Sequence, residues 1–441
     1  MDFRQNIAQL EEFIGVLFII FSGFVVTALY KMVNYVTFPN LDELLWYGRS
    51  RIFWDKMLSF DFSGLIQSAQ PGITVYWFTG FVMKFIDFDF TYVGYLIREK
   101  ELAGGDYNDV VNANDQVVYA LFEKVSFLFN FPLFILTVIF FIAFYYLIKR
   151  IGFNRVISSF ALFFLVSNIF FIYWTTPSDK MLDIFMTLSF LTFLIYLKER
   201  SAGKYLIYSA IFGSWAVLSK ISALFIIPFF LFAYLYCSWP IDRKKIFVIA
   251  RDMTIWTAVF SMISLIFLPT IVARPAEVYN LIFTNSGNIY ETRYAVDAYI
   301  SRLLEYSSPM LIVFGSSMSA GIIIYLAAFA CLAFRKKFRM SLDLSPRREV
   351  YLISVYVILF MVEVTVLSKN HDVRFMSPVL VMMNVLVGVA FFNVIEVLRK
   401  KLNLGTLYYY HTAMAVLILS QIIAIVSTGI MMQDLIRFYN S

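Results

Sequence analysis

The chain has 441 residues, of which 61% are hydrophobic, 19% are aromatic and 15% are charged, and its formal net charge is +6. Soluble domains average about 45–50% apolar and about 25% charged residues, so this composition excludes a soluble globular enzyme, a disordered chain and a disulfide-rich scaffold. A helix that crosses a bilayer needs about 20 apolar residues. The sequence therefore predicts a polytopic membrane protein with one sizeable part outside the membrane.

Long apolar runs recur along the chain and predict about 11 membrane spans. They lie near residues 13–33, 127–148, 156–174, 180–197, 204–219, 221–238, 254–273, 309–334, 350–367, 376–397 and 411–432. The first run is too long for a signal-peptide core and has no small-residue cleavage site, which predicts a retained span. Short loops rich in Lys and Arg alternate with poorly charged ones, and basic loops favour the cytoplasm. This pattern predicts a cytoplasmic N-terminus and a multi-pass protein of the cell membrane.

Two segments between spans are long enough to carry chemistry, and the predicted orientation places both outside the cytoplasm. Residues 34–126 form the first extracytoplasmic loop, and residues 274–308 form the second. Within the first loop, the stretches 44–58 and 73–86 are amphipathic but too short or too polar to span a bilayer, which favours helices that lie in the interface. We expect one transmembrane domain over residues 1–441, with its functional site on the outer face.

The charge and the metal-binding residue types narrow the function further. The cations lie mainly in short loops, where membrane topology explains them, so the net positive charge does not indicate a nucleic-acid partner. The two histidines, His371 and His411, are too few for a histidine-rich metal site, and Cys237 and Cys331 have no metal-ligand spacing. The sequence predicts no metal and no cofactor.

The first predicted loop contains two candidate motifs. Asp42 and Glu43 follow the first span by about nine residues. Adjacent carboxylates can activate a hydroxyl or bind a cation, but Asp42 could equally cap the helix that follows. The second motif begins at Gln70 and continues through Pro71 and Gly72, which is typical of a turn before a helix.

Three later motifs are predicted on the same outer face. Asp179 opens the fourth span and Asp183 lies one turn inside it, where a carboxylate either faces a cavity or partner or belongs to the membrane boundary. Lys220 interrupts the apolar sequence between the fifth and sixth spans and can either contact a phosphate or extend to lipid headgroups. The segment from Lys369 through His371 and Arg374 offers fixed cations for a membrane-embedded phosphate, or an interfacial anchor.

These motifs, taken in order, resemble those of the GT-C membrane glycosyltransferases of the protein O-mannosyltransferase type, a superfamily that also includes the lipid A aminoarabinose transferases. The resemblance rests on the outer Asp-Glu pair, the Pro-Gly turn, the Pro-x-Asp opening of the fourth span, the Leu-Ser-Lys hairpin and the late Arg-Phe-x-x-Pro sequence. It is most specific over residues 40–80 and 175–225. Gln70 is a departure, since relatives often have His in a His-Pro-Gly-Val-Thr motif, and this puts an acid or base role at that position in doubt.

The resemblance implies a GT-C fold with a long first extracytoplasmic loop that bears juxtamembrane helices. It implies an enzyme that inverts the anomeric centre and takes its sugar from a polyprenyl phosphate in the membrane. The acceptor would be a hydroxyl of a glycan, lipid or protein. Asp42 would be the base that deprotonates this hydroxyl, and Glu43 would be its partner.

The other site residues also follow from the resemblance and from their charge. Lys220 and Arg374 would contact the donor phosphate, with Lys369, Arg293 and Arg302 as further cations. The remaining substrate-binding candidates are Gln70, Asp179, Asp183 and His371.

Three other functions compete with this interpretation. A flippase or transporter of lipid-linked oligosaccharides would place charges at mid-depth in several spans. A polysaccharide polymerase or ligase would share the outer loop and its Arg residues. A membrane scaffold without activity would not need an acidic pair matched by cations on the same face.

Overall fold

A computed structural model provides the structure of the protein. It describes residues 3–34, 41–63, 65–66, 72–85, 115–167, 177–200, 203–280, 347–367 and 377–402, and also Thr412 and Ala415. Throughout these ranges the regular secondary structure is helical. The longer helices are α1 (Phe3–Asn34), α2 (Leu41–Leu58), α4 (Asp115–Ile151), α5 (Arg155–Val166), α6 (Pro177–Lys198), α7 (Lys204–Ser219), α8 (Ile226–Ser238), α9 (Arg243–Phe267), α12 (Arg347–Leu367) and α13 (Ser377–Leu402). The shorter ones are α3 (Ile73–Phe78), α10 (Thr270–Ala273), α11 (Pro275–Tyr279) and two 3-10 helices, Gly80–Phe85 and Ile221–Phe225.

The protein is an all-α polytopic membrane protein. Five helical segments in the described ranges are long and apolar enough to cross a membrane: Phe127–Ile151, Pro177–Lys198, Ile221–Ser238, Arg243–Phe267 and Pro378–Glu396. Each overlaps a predicted span. The predicted total of about 11 spans stays a prediction, because the runs 309–334 and most of 411–432 lie outside the described residues.

Helix α6 is the centre of the bundle. All of residues 181–197 are buried, and α6 packs mainly against α7, with further contacts to α4, α8 and α13. Small side chains permit this close packing: Ser189 Oγ donates to the Ser209 carbonyl oxygen at 2.7 Å, and Ser214 and Ser264 share a hydrogen bond of 2.8 Å between α7 and α9. Interhelical bonds between small polar residues are a common way for membrane helices to associate.

A second close contact joins α13 to α5. A Cβ atom added at Gly388 would lie 2.9 Å from the backbone nitrogen of Ala161, so only glycine permits this approach. Phe391 fills the next turn, where its ring lies 4.9 Å from Phe160 and 5.7 Å from Phe164, measured between centroids. These contacts hold α13 against the bundle.

The described basic loops meet at one end of the bundle. Arg150, at the end of α4, donates to Glu199, which follows α6, at 2.9 Å. Lys198 donates to the Ile151 carbonyl oxygen at 2.8 Å, and Arg200 donates to Ser238 at the end of α8 at 2.7 Å. The cations that suggested a common side of the membrane therefore lie together, and the candidate site described below lies at the opposite end. Which end faces the cytoplasm stays a prediction.

Two predicted elements differ from the observed ones. The predicted stretch 44–58 is helical from Leu41, so Asp42 and Glu43 lie inside the first turn of α2 and the interpretation of Asp42 as a cap before Leu44 is wrong. Carboxylates in a first helical turn interact favourably with the helix dipole. The predicted stretch 73–86 divides after Phe78, and the chain continues as the 3-10 helix Gly80–Phe85.

Candidate functional site

A buried ion pair lies where α6 begins and α7 ends. Lys220 Nζ donates to Asp179 Oδ1 at 2.5 Å, and the two side chains are 5% and 2% exposed. Pro177 starts α6, a position that suits proline because the first helical N–H has no intrahelical partner. Asp179 in the same turn is stabilised by the helix dipole. The structure thus brings together two residues that the sequence placed in different motifs.

Lys220 owes its position to a break between two helices. Its backbone is extended, with φ −156° and ψ 131°, between α7 and the 3-10 helix Ile221–Phe225. Its N–H still donates to the Ala216 carbonyl at 2.9 Å, and its carbonyl accepts from Ala223 N–H at 3.1 Å. This break between the two helices directs the Lys220 side chain toward Asp179 of α6.

The first loop is bound to this break by two hydrogen bonds. Gly72 N–H donates to the Ser219 carbonyl oxygen at 3.1 Å, and the hydroxyls of Thr74 and Ser219 are 2.5 Å apart. Gly72 has a φ of +58°, which favours glycine, and a Cβ atom there would lie 2.0 Å from Trp46 Cζ3. The segment Gly72–Thr74 is therefore a docking element that ties α3 to the residue before Lys220.

Two further bonds anchor the loop on α9 and α10. Trp77 Nε1 donates to the Phe267 carbonyl oxygen at 3.0 Å, and Thr270 Oγ1 donates to the Phe62 carbonyl at 3.0 Å. The carbonyls in the last turn of a helix have no intrahelical partner, so Trp77 satisfies one of these for α9. Between these two hydrogen bonds lies a group of aromatic side chains. In it, the ring centroid of Trp215 is 5.3 Å from that of Phe78 and 5.7 Å from that of Phe267.

One face of α2 is directed at the docking element. Positions 42, 46, 49 and 53 share a face at helical spacing. On this face, Trp46 lies against Gly72, and the rings of Trp46 and Phe53 lie 5.7 Å and 5.0 Å from Tyr76. Position 42 is one turn before Trp46, so the backbone places it on the side of α2 that faces the Gly72–Ser219 contact.

Position 43 belongs to a different face of α2, together with 47, 50 and 54. Tyr47 packs on Phe129 of α4 with 4.6 Å between ring centroids, and a Cβ atom at Gly80 would lie 2.6 Å from Ser50 Oγ. Positions 42 and 43 thus belong to faces of α2 with different neighbours, although the sequence presents Asp42 and Glu43 as one adjacent pair.

The other candidates are only partly described. Asp183 is fully buried one turn after Asp179 in α6. Six candidates lie outside the described residues: Gln70, Arg293, Arg302, Lys369, His371 and Arg374. Among the described residues no group of three or more His, Cys, Asp or Glu side chains could hold a metal ion. The residues that sequence reasoning missed are Trp46, Thr74 and Ser219, and the only sequence signal for Trp46 is its spacing of four from Asp42.

Basic residues far from the site have a different role. Glu199 accepts from Arg150, and this hydrogen bond, together with the charge of Arg150, lowers the pKa of the Glu199 carboxyl. Asp252 in α9 accepts from Tyr234 at 2.5 Å and from Tyr196, and Arg251 donates to its other oxygen at 2.8 Å. These contacts join helices at the end of the bundle opposite the candidate site.

The comparison with protein families concerns the part of the chain that holds the ion pair. Residues 111–273 match the family model described as dolichyl-phosphate-mannose-protein mannosyltransferase. The matched segment contains Asp179, Asp183 and Lys220 and does not include α2. Among curated proteins, none matches the chain. The family match supports the resemblance found in the sequence: over residues 111–273 the chain is similar to the dolichyl-phosphate-mannose-protein mannosyltransferases.

Proposed function

We propose that the protein is an inverting glycosyltransferase that acts at the extracytoplasmic face of the cell membrane. It takes a sugar from a polyprenyl-phosphate donor and transfers it to a hydroxyl of a glycan, lipid or protein. The family match supports a mannosyltransferase-type glycosyltransferase, for which a lipid-linked mannose is the first donor to test. The active site is formed by the first turn of α2, the Gly72–Thr74 segment and the Lys220–Asp179 pair.

One observation carries the proposal, namely the docking of the first loop at Ser219. The bonds from Gly72 and Thr74 to Ser219 place α2 and α3 beside the residue that precedes Lys220. A charged residue in a loop would by itself say little, but here a helix turn that carries two acidic residues and a buried cation are held at the same end of the bundle. This is the pairing that transfer from a lipid phosphate requires, with a base for the acceptor and a cation for the leaving group.

The proposed step involves one proton and two bonds. Asp42 removes the proton from the acceptor hydroxyl while its oxygen attacks the anomeric carbon from the side opposite the phosphate. The bond between the anomeric carbon and the phosphate oxygen breaks, and its electron pair leaves on the polyprenyl phosphate. Because a phosphate is already a good leaving group, positioning and charge stabilisation supply most of the catalysis.

Lys220 acts on the leaving phosphate in this proposal. Asp179 holds its ammonium group in place at 2.5 Å, and both are excluded from water, so the charge is fixed in position before the donor binds. Fixed charges in a site of low dielectric stabilise a developing negative charge without reorganisation.

The other candidates have supporting roles in this proposal. The additional phosphate contacts are Arg374, Lys369 and Arg293, and the substrate contacts are Gln70, Asp183 and His371. Glu43 is proposed as the neighbour that adjusts the charge around Asp42.

The proposal is tested with purified protein in lipid nanodiscs supplied with a polyprenyl-phosphate mannose and a set of hydroxyl acceptors. Release of polyprenyl phosphate is measured. Asp42→Asn is expected to lower release at least about 100-fold, since a general base contributes about 10²–10⁴-fold. Asp55→Asn is the matched control, because Asp55 lies on the same helix, is exposed and pairs with Lys84.

The outcome separates the proposal from its alternatives. Normal turnover by Asp42→Asn would show that Asp42 is not the base. Movement of the intact donor between leaflets without release of polyprenyl phosphate would instead identify a flippase. Transfer of whole glycan chains, with no transfer of single sugars, would identify a polymerase or ligase.

A further inference from the structure

Among the residues that the structure describes, one buried hydroxyl beside α2 has no hydrogen-bond partner. The side chain of Tyr76 is fully buried, yet its hydroxyl makes no hydrogen bond within the described part of the chain. Its ring is held between Trp46 and Phe53, and its carbonyl accepts from Trp54 Nε1 at 2.8 Å. A buried donor without a partner costs about 1–3 kcal/mol, so a hydroxyl that the described residues leave unpaired indicates a place where a ligand can bind.

Arg49 is the charged group next to this hydroxyl. Its guanidinium lies 5.5 Å from the centre of the Trp46 ring, and its charge acts on the Tyr76 hydroxyl. Burial raises the pKa of Tyr76 far above its usual value, and the charge of Arg49 offsets only part of this effect. Tyr76 therefore stays protonated, and both side chains are hydrogen-bond donors.

Two donors, one of them positively charged, complement an anionic oxygen. A guanidinium binds carboxylate and phosphate oxygens through its planar set of N–H groups, and a protonated phenol adds one short O–H donor. Neutral sugar hydroxyls would gain less from the fixed charge. The ligand class that fits is thus a carboxylate or a phosphate.

The pair also lies at a defined distance from the proposed base. Position 49 shares the helix face of position 42 and is seven residues further along α2, which corresponds to about 10 Å along the helix axis. Arg51 is half a turn away, on the opposite face. A ligand with a hydroxyl at the first turn of α2 can therefore place a second group, one or two sugar rings away, at Arg49.

We propose that the acceptor carries an anionic group distinct from its reacting hydroxyl, and that Arg49 and Tyr76 bind this group. The inference rests on the proposed function, since it assigns the acceptor class of the same site. The same chemistry could bind the phosphate of the donor, so the experiment tests acceptor and donor separately.

The first arm measures binding without turnover. Nanodiscs of neutral lipid are titrated with an alkyl disaccharide and with its uronic-acid counterpart, in which one hydroxymethyl group is replaced by a carboxylate. The uronic acid is expected to bind more tightly, and Arg49→Gln to weaken its binding about tenfold or more while leaving the neutral ligand unchanged. Arg51→Gln, the matched control on the opposite face, should keep the preference. Equal binding of the two ligands by the unmodified protein would overturn the inference.

Tyr76→Phe isolates the hydroxyl. The ring packing is kept and no protein hydrogen bond is lost, so the thermal stability is expected to stay the same or rise, while binding of the uronic acid weakens about threefold to tenfold. A loss of stability with unchanged binding would assign the hydroxyl a structural role and overturn its part in the proposal.

The second arm measures turnover with the lipid-linked mannose. Arg49→Gln should lower transfer to the anionic acceptor but leave hydrolysis of the donor by water unchanged. If donor hydrolysis falls equally, the anion bound at Arg49 is the donor phosphate and the inference is wrong. If the unmodified protein shows no turnover at all while the uronic acid still binds through Arg49, the proposed function fails and the anion site remains.

Discussion

The ion pair between Lys220 and Asp179 yields the sharpest prediction about stability. At 2.5 Å, and with an effective dielectric constant of about 20, two unit charges attract each other by about 7 kcal/mol. Removal of each ion from water costs several kcal/mol, so the pair as a whole adds little. The loss of one partner is different, because it leaves a buried charge uncompensated. We expect Asp179→Asn to destabilise the protein by about 3–5 kcal/mol.

The assay is unfolding in mixed micelles, followed by tryptophan fluorescence and compared as free energies at a common detergent composition. A double-mutant cycle adds Lys220→Met and the combined variant. Lys220→Met removes the ammonium charge that Asp179→Asn leaves uncompensated. The combined variant should therefore be more stable than the sum of the two single effects predicts, by about 2–3 kcal/mol.

The matched control is the Arg150–Glu199 pair. Its N–O distance is 2.9 Å, but its side chains are 47% and 33% exposed, so solvent screens the interaction. Glu199→Gln should cost no more than about 1 kcal/mol. If Asp179→Asn costs no more than this control, or if the cycle shows no coupling, the reasoning from burial is refuted.

Two further predictions concern a glycine and a pH dependence. Gly72→Ala should destabilise the protein and detach the first loop, because the added Cβ would lie 2.0 Å from Trp46 Cζ3 at a φ of +58°. The control is Gly203→Ala, whose added Cβ would meet no atom within 4 Å. Equal thermal stability of the two variants would contradict this explanation. The hydrogen bond from Arg150 lowers the pKa of Glu199 from its ordinary 4.5. The ionised Glu199 side chain therefore contributes its full stabilisation above pH 4.5, and this stabilisation is lost as the pH falls through the lower pKa of the folded state. The melting temperature of Glu199→Gln should therefore approach that of the unmodified protein between about pH 5 and pH 3, and a constant difference across this range would argue against the linkage.

The membrane helices could be predicted from the sequence because their signal is local. The predicted run 204–219 has the same bounds as α7, and 221–238 matches the segment Ile221–Ser238. Each residue of such a run contributes apolar character directly, and Lys220 marks the break between them. The predicted run 254–273 was less accurate, since α9 starts at Arg243 and its first turns are basic.

The contacts of the candidate site could not be predicted in the same way. The bond between Thr74 and Ser219 joins residues 145 positions apart, and Lys220 and Asp179 are separated by 41 positions. Nothing in the local sequence of either partner specifies the other, because tertiary packing decides which loop meets which helix end. Asp179 and Lys220 could each be selected from their own motifs, but neither motif predicts that the two side chains form an ion pair. The roles of Asp42, Glu43 and the other candidates remain predictions.

The anchoring of the first loop has a consequence for the order of assembly during synthesis. Trp77 and Phe62 bind residues 190 and 208 positions later in the chain, in the last turn of α9 and the first of α10. When the ribosome has completed α2 and α3, their docking partners do not yet exist, so this loop must wait until the six described helices α4 to α9 have been made and inserted. A site built from such distant contacts forms late, and a nascent chain that stops before α9 would leave Trp77 without the Phe267 ring and carbonyl that it contacts, and so exposed to quality-control proteases.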